Sequence, residues 1–144
     1  MKNKIISFGT CLRSPAFWFF AFSAEASAIL ILSVIPSVGS GLNSGLAAHL
    51  LAYTTFSCTA GILLVIKKIP RAIVKGALIA ALFGCCIELV QYFIPYRACE
   101  LADAATNCCA ALAGMAAAGA VQFTFFKKNR GLRDRGDKET RPLS

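Results

Sequence analysis

Residues 83–114 read FGCCIELVQYFIPYRACELADAATNCCAALAG, two apolar runs joined through Pro95-Tyr96-Arg97. Glu88, Gln91, Arg97, Asp103 and Asn107 sit inside or beside those runs. Hydrocarbon penalises ionisable side chains, so polar groups at such positions require a partner or a task. The stretch thus predicts an apolar hairpin and marks the place to look for a working site.

The rest of the chain extends that reading. Of its 144 residues 57% are hydrophobic and only 15% charged, too apolar for a small water-soluble domain. Four stretches, 15–38, 46–66, 72–94 and 101–126, each approach the roughly 20 residues that a hydrocarbon core of about 30 Å requires. The expectation is an all-α membrane protein, a bundle of four transmembrane helices over 15–126. A basic N-terminus, 1–14, precedes it, and a basic, disordered tail, 127–144, follows.

The net charge of +8 raises the possibility of nucleic acid, but its placement argues for topology instead. Lys2, Lys4 and Arg13 precede the first span; Lys67, Lys68, Arg71 and Lys75 surround the second connection; seven more follow the fourth span. Arg97 alone of the 15 basic residues falls on the other side if the spans alternate. By the positive-inside rule both termini are cytoplasmic and the protein resides in the bacterial cytoplasmic membrane, with the bilayer rather than nucleic acid as its partner. Ala26-Ser27-Ala28 resembles a signal-peptidase site, yet the apolar run continues through Val34 and Glu25 would sit just before the cut. An uncleaved signal-anchor is the preferred reading. The seven cysteines include no CxxC pair, and those within spans read as small packing residues. Cys99, in an outer loop, is the one open to oxidation.

Polar positions carry the information in spans that are apolar all round. His49 and Tyr53, Glu88 and Gln91, and Asp103 and Asn107 are three or four apart, so each pair shares a helix face. With alternating spans, His49 lies about 5 Å below the outer boundary and Glu88 and Asn107 about 9 Å, at 1.5 Å per residue. Three helices thus present short polar stripes at one level, which should turn inward and meet. Ala110 and Gly114, four apart in an Ala/Gly-rich fourth span, allow close helix approach and predict a central place for that helix.

Leu32-Ser33-Val34-Ile35-Pro36, His49…Tyr53, Glu88-Leu89-Val90-Gln91…Pro95-Tyr96-Arg97 and Asp103…Asn107…Gly114 together resemble the VanZ-like family of small bacterial membrane proteins. The resemblance covers about residues 30 to 120. It implies a four-helix membrane protein of poorly defined biochemistry, whose namesake is associated with low-level resistance to the lipoglycopeptide teicoplanin. Many members carry an Asp-Lys pair before the histidine, where this chain has Gly45-Leu46, and a Gly three residues after the Asn, where it has Ala110. Glu25 is not part of the pattern.

Each residue has a bland reading beside a functional one. Glu88, His49 and Asp103 are the acid–base candidates for catalysis; Arg97, Gln91, Asn107 and Tyr53 are the candidates for substrate binding. Against this, Glu88, Gln91 and Asn107 also serve as helix glue, Asp103 favours the dipole of a first turn, and Arg97 anchors at headgroup level. No HExxH, GxSxG, Walker or GxGxxG motif is present. A His–Glu–Asp metal site is within the chemistry of these ligands, but the reading taken is a metal-free cluster without cofactor. Three functions compete: an outer-leaflet pocket recognising an anionic envelope lipid or lipid-tailed glycopeptide, a small oligomeric transporter or channel component, and a structural assembly partner. A path across the membrane is disfavoured by the few polar residues in the inner halves of the spans.

Overall fold

The computed structural model describes the backbone of residues 14–35, 42–95 and 101–139, with side chains for all of these except 42–44 and 125–139. Four helices follow in order: α1 Pro15–Val34, α2 Leu42–Ile66, α3 Ala72–Tyr92 and α4 Leu101–Glu139. Pro15–Val34, Gly45–Ile66, Ala72–Tyr92 and Leu101–Thr124 are each long and apolar enough to cross a membrane. No strand occurs among the described residues. The all-α, four-span expectation holds, and the protein is a multi-pass membrane protein.

Local chemistry explains where the helices start and stop. Pro15 opens α1 at a position whose N–H needs no helical acceptor. At the other end Ile35 is extended, with φ −72° and ψ 131°, as the residue before a proline is steered to be. The helix therefore ends at Val34 and not at the anticipated Val38. Ala26-Ser27-Ala28 lies within it. The α2–α3 connection closes with Lys68 N–H on the Val65 carbonyl and Ile69 N–H on the Leu64 carbonyl. This is the Schellman pattern, with Lys68 at φ 57° in the left-handed position usually held by glycine. α4 continues through the basic segment to Glu139, helical backbone where the sequence suggested an unstructured tail. No proline interrupts it there, and Lys, Arg and Glu are good helix formers.

α2 contacts each of the other three helices and shares its largest interface with α4. The central position expected for α4 thus belongs to α2. Thr54, Ser57 and Gly61 meet Ala110, Ala111 and Ala118 in rising order, so α2 and α4 run parallel in constant register. A Cβ on Gly114 would collide with the Thr54 carbonyl oxygen and come within 2.6 Å of Ser57 Cβ. On the α2–α3 side, a Cβ on Gly76 would lie 2.6 Å from Gly61 Cα. The core is accordingly built from small side chains, Ala60, Ala77, Ala80, Ala110, Ala111 and Ala118, around Tyr53 and Phe56. Phe22 of α1 stacks on Phe56 at 4.8 Å between ring centroids, and Phe56 meets Phe83 of α3 at 5.1 Å.

Outside, the pattern is reversed. Phe20, Leu51, Leu82, Phe93 and Phe123 are largely exposed, a continuous apolar exterior that only lipid or another apolar surface accommodates. Small residues within and large ones without is the packing of helices in a bilayer. Gly114→Ala is expected to cost about 1–3 kcal/mol, because backbone cannot yield to the new methyl. Gly119→Ala, where nothing lies within 4 Å, is expected to be neutral or slightly stabilising. Denaturation of both variants in mixed micelles, followed by circular dichroism, checks the contrast.

Candidate functional site

The polar stripes do converge. On α2, His49 and Tyr53 stand one turn apart with rings 6.1 Å between centroids and 20° from parallel. His49 Nδ1 lies 2.8 Å from Asn107 Oδ1 of α4, and Asn107 Nδ2 donates to Glu88 Oε1 of α3 at 3.4 Å. Because the Asn107 amide nitrogen serves Glu88, its oxygen is the acceptor, so His49 Nδ1 carries the proton in this bond. In a neutral ring Nε2 would then be the acceptor. Asp103, in the first turn of α4, completes the group: His49, Glu88 and Asp103 each offer one ligating atom, all within 4.8 Å of one another.

Burial divides this cluster into a floor and a rim. Asn107 is 0% exposed, Tyr53 1% and Glu88 3%, whereas His49 and Asp103 are half-buried. A ligand therefore meets His49 and Asp103 first. Gly84, one turn before Glu88 on α3, makes the floor possible. A Cβ there would come within 2.9 Å of Asn107 Cβ and 3.1 Å of Tyr53 Cε1. The Tyr53 hydroxyl is buried and has no hydrogen-bond partner among the described residues.

The other anticipated residues take different places. Gln91 is buried and its Nε2 donates to the Ser33 carbonyl at 3.1 Å. Ser33 is in the last turn of α1, where carbonyls lack helical donors, so Gln91 closes a helix end and ties α3 to α1. Arg97 and Cys99 lie outside the described residues. Glu25, which sequence left unassigned, turns inward and accepts from Thr59 Oγ1 at 3.2 Å, joining α1 to α2 midway along α1. Cys85, Cys86, Cys108 and Cys109 are exposed on the bundle's exterior, not packed inside as expected.

Two further side chains went unremarked in the sequence. Ser57 Oγ donates to the Ala111 carbonyl at 2.7 Å, and Thr54 Oγ1 to the Ala110 carbonyl at 3.2 Å. Helix carbonyls are normally shielded by the side chain four residues on. Gly114 leaves that of Ala110 uncovered. The signal was available as Gly114 opposite a His49–Tyr53–Ser57 stripe at spacings of four. Two surface concavities lie elsewhere. One, of about 390 Å³, is lined by Lys68, Arg71 and Gln122 at the basic end. The other is an apolar groove between α3 and α4 around Ala81 and Leu112.

A family model described as VanZ/LLP1 matches residues 14–127, a span that takes in all four apolar helices and every member of the cluster. The chain belongs to the VanZ/LLP1 family. No curated protein and no solved structure matches it. Within this VanZ/LLP1 chain, Ala110 of α4 is completely buried against α2 where the sequence resemblance leads one to expect glycine, and the seam accepts its methyl group. Gly45-Leu46 brings no charge to the rim.

The cluster and the seam below it should differ in energetic weight. Ser57→Ala removes one hydroxyl from a carbonyl that keeps its helical donor, and is expected to cost about 0.6 kcal/mol, the mean for such bonds in membranes. Asn107→Ala removes the amide joining His49 to Glu88 at a fully buried position and is expected to cost about 1–3 kcal/mol. Unfolding free energies in the same micelle system would rank the two.

Proposed function

We propose that this VanZ/LLP1 protein sits in the bacterial cytoplasmic membrane with both termini inside. It uses the His49–Asn107–Glu88–Asp103 cluster, just below the outer surface, to recognise the anionic headgroup of an acylated envelope molecule. The observation that carries this is the hydrogen-bonded chain from α2 through α4 to α3. It fixes three polar groups in one geometry and leaves His49 and Asp103 reachable at the rim. Arg97, six residues before Asp103, is the only Lys or Arg between Lys75 and Lys127, and its planar fork suits a phosphate or carboxylate. The acyl chains of the ligand would lie along the exposed apolar exterior. A polyprenyl-phosphate intermediate and a lipid-tailed glycopeptide share this plan. His49, with Nε2 free, is the group to accept or return a proton should chemistry follow binding.

A purely structural role predicts something different. In Glu88→Gln the amide oxygen can still accept from Asn107 Nδ2, so helix registry survives while the carboxylate is lost. A transport role is weakened by the fate of the hydroxyls below the cluster. Thr54 and Ser57 are spent on α4 carbonyls at a glycine contact too close for water.

Binding of a fluorescent polyprenyl phosphate and of a lipoglycopeptide to the full chain in nanodiscs tests the reading. Wild type is expected to bind one of them, Arg97→Ala to weaken binding at least about tenfold, and Glu88→Gln to weaken it while keeping wild-type thermal stability. A charge-assisted hydrogen bond of about 1.5–3 kcal/mol is worth that factor or more. Unaltered binding in both variants would leave the cluster as helix glue.

A further inference from the structure

The end of the bundle opposite the His49 cluster carries a charge that recognition at the cluster does not use. Lys67, Lys68, Arg71 and Lys75 gather at the α2–α3 connection, beside the span ends Ile66 and Ala72. Val65, at this end of α2, lies about 24 Å along the helix axis from His49 at 1.5 Å per residue. No acidic residue occurs in the sequence between Glu25 and Glu88 or between Asp103 and Asp134. The four cations therefore stand at headgroup depth with no carboxylate nearby in the chain.

Two of them are set apart from the others. Lys68 and Arg71, together with the half-buried Gln122 of α4, line the concavity of about 390 Å³, whereas Lys67 and Lys75 do not. Lys68 at φ 57° and Arg71 at φ 55° are also the described non-glycine residues in left-handed backbone. Glycine would satisfy both turns without strain, so the turns alone give no reason for long cationic side chains there.

The concavity continues into hydrocarbon. Val74 lines both it and the apolar groove of about 220 Å³ between α3 and α4. From Val74 the groove passes Leu78 and Ala81 on α3, and Ala111, Leu112 and Met115 on α4. Residues 74 to 81 cover about 10 Å of axial rise. A cationic cup at the membrane surface thus opens into an apolar channel below it.

We propose that cup and groove form one binding site for an anionic phospholipid, its phosphate between Lys68 and Arg71 and one acyl chain along the α3–α4 groove. Arg71 offers a planar fork to two phosphate oxygens, Lys68 a point charge, and the Gln122 amide a donor to an ester or glycerol oxygen. A zwitterionic headgroup brings its own cation into a cup lined by cations, and is disfavoured. Basic pockets between spans are the places where anionic headgroups settle. Free phosphate shares the head chemistry but leaves the groove unused; the continuity through Val74 favours the lipid. This site does not depend on what the His49 cluster recognises.

Native mass spectrometry of the full chain, released from nanodiscs of equal phosphatidylglycerol and phosphatidylcholine, tests the assignment. Wild type should retain one phosphatidylglycerol per chain and melt at a higher temperature than in phosphatidylcholine alone. Lys68→Gly and Arg71→Gly should each weaken retention about fivefold, the effect of one basic residue at a membrane surface. In phosphatidylcholine alone neither should lower the melting temperature, because glycine relieves the left-handed backbone. Ala81→Leu, which fills the groove and leaves the charges in place, should weaken retention as well. Lys67→Gln, outside the cup, should retain the lipid as wild type does. Equal retention of the two lipids, or a loss in Lys67→Gln as large as in Arg71→Gly, would overturn the site in favour of bulk attraction. A melting temperature lowered by the glycine substitutions would return both side chains to the turn. Displacement of the lipid by millimolar inorganic phosphate with no effect of Ala81→Leu would reassign the cup to free phosphate. Dimers that Ala81→Leu dissolves would give the groove to a second copy of the chain and equally overturn the lipid.

Discussion

The contact on which the remaining architecture depends is the parallel seam between α2 and α4. It is formed where Gly114 lets the Thr54 backbone come against α4. Without that approach, Thr54 and Ser57 could not reach the Ala110 and Ala111 carbonyls. Toward the N-terminal ends of α2 and α4 the same helix pairing sets His49 opposite Asn107. Apolar burial offers little drive for helix association in lipid, so close packing and side-chain hydrogen bonds must supply it. The seam is made of both. α3 then closes on it through Gly76 and Gly84, the first admitting the backbone of Gly61 and the second admitting Asn107 and Tyr53.

Much of this was legible in the residues because hydrocarbon is an unforgiving solvent. Length and apolarity located the four spans, since each backbone polar group must be satisfied within its helix. Glu88, Asn107, His49 and Asp103 were recognisable as one layer because helical spacing and depth are simple functions of residue number. Other features were not, for reasons equally physical. Gln91 shares a face with Glu88 yet serves a carbonyl of α1, because spacing along one helix says nothing of which neighbour that face meets. The primacy of α2 over α4 was hidden as well. Ala and Gly advertise close contact from α4, but the partner's hydroxyls that exploit it look unremarkable in sequence. Thiols likewise pass for packing groups in composition, and whether Cys85 or Cys108 faces a neighbour or the lipid depends on helix rotation.

α1 stands apart from this logic. It touches α2 and grazes α3, held by Phe22 on Phe56, by Glu25 on Thr59 and by Gln91 at its end. Ile29 is its one buried residue. Each of those ties is a single side-chain contact, whereas α2, α3 and α4 share backbone-close crossings. The cluster is assembled wholly from the three tightly packed helices, which is where a site needing fixed distances belongs.

Whether the His49–Asn107–Glu88 cluster is glue or a working site turns on what registry requires. The α2–α4 register is already specified below it by Gly114, Thr54 and Ser57, and the α2–α3 register by Gly61 against Gly76. An amide at Glu88 would accept the Asn107 hydrogen bond as well as the carboxylate does, at far lower desolvation cost. Helix registry therefore accounts for Asn107 and Gly84, while the choice of acid over amide at Glu88 is what the proposed headgroup recognition would explain.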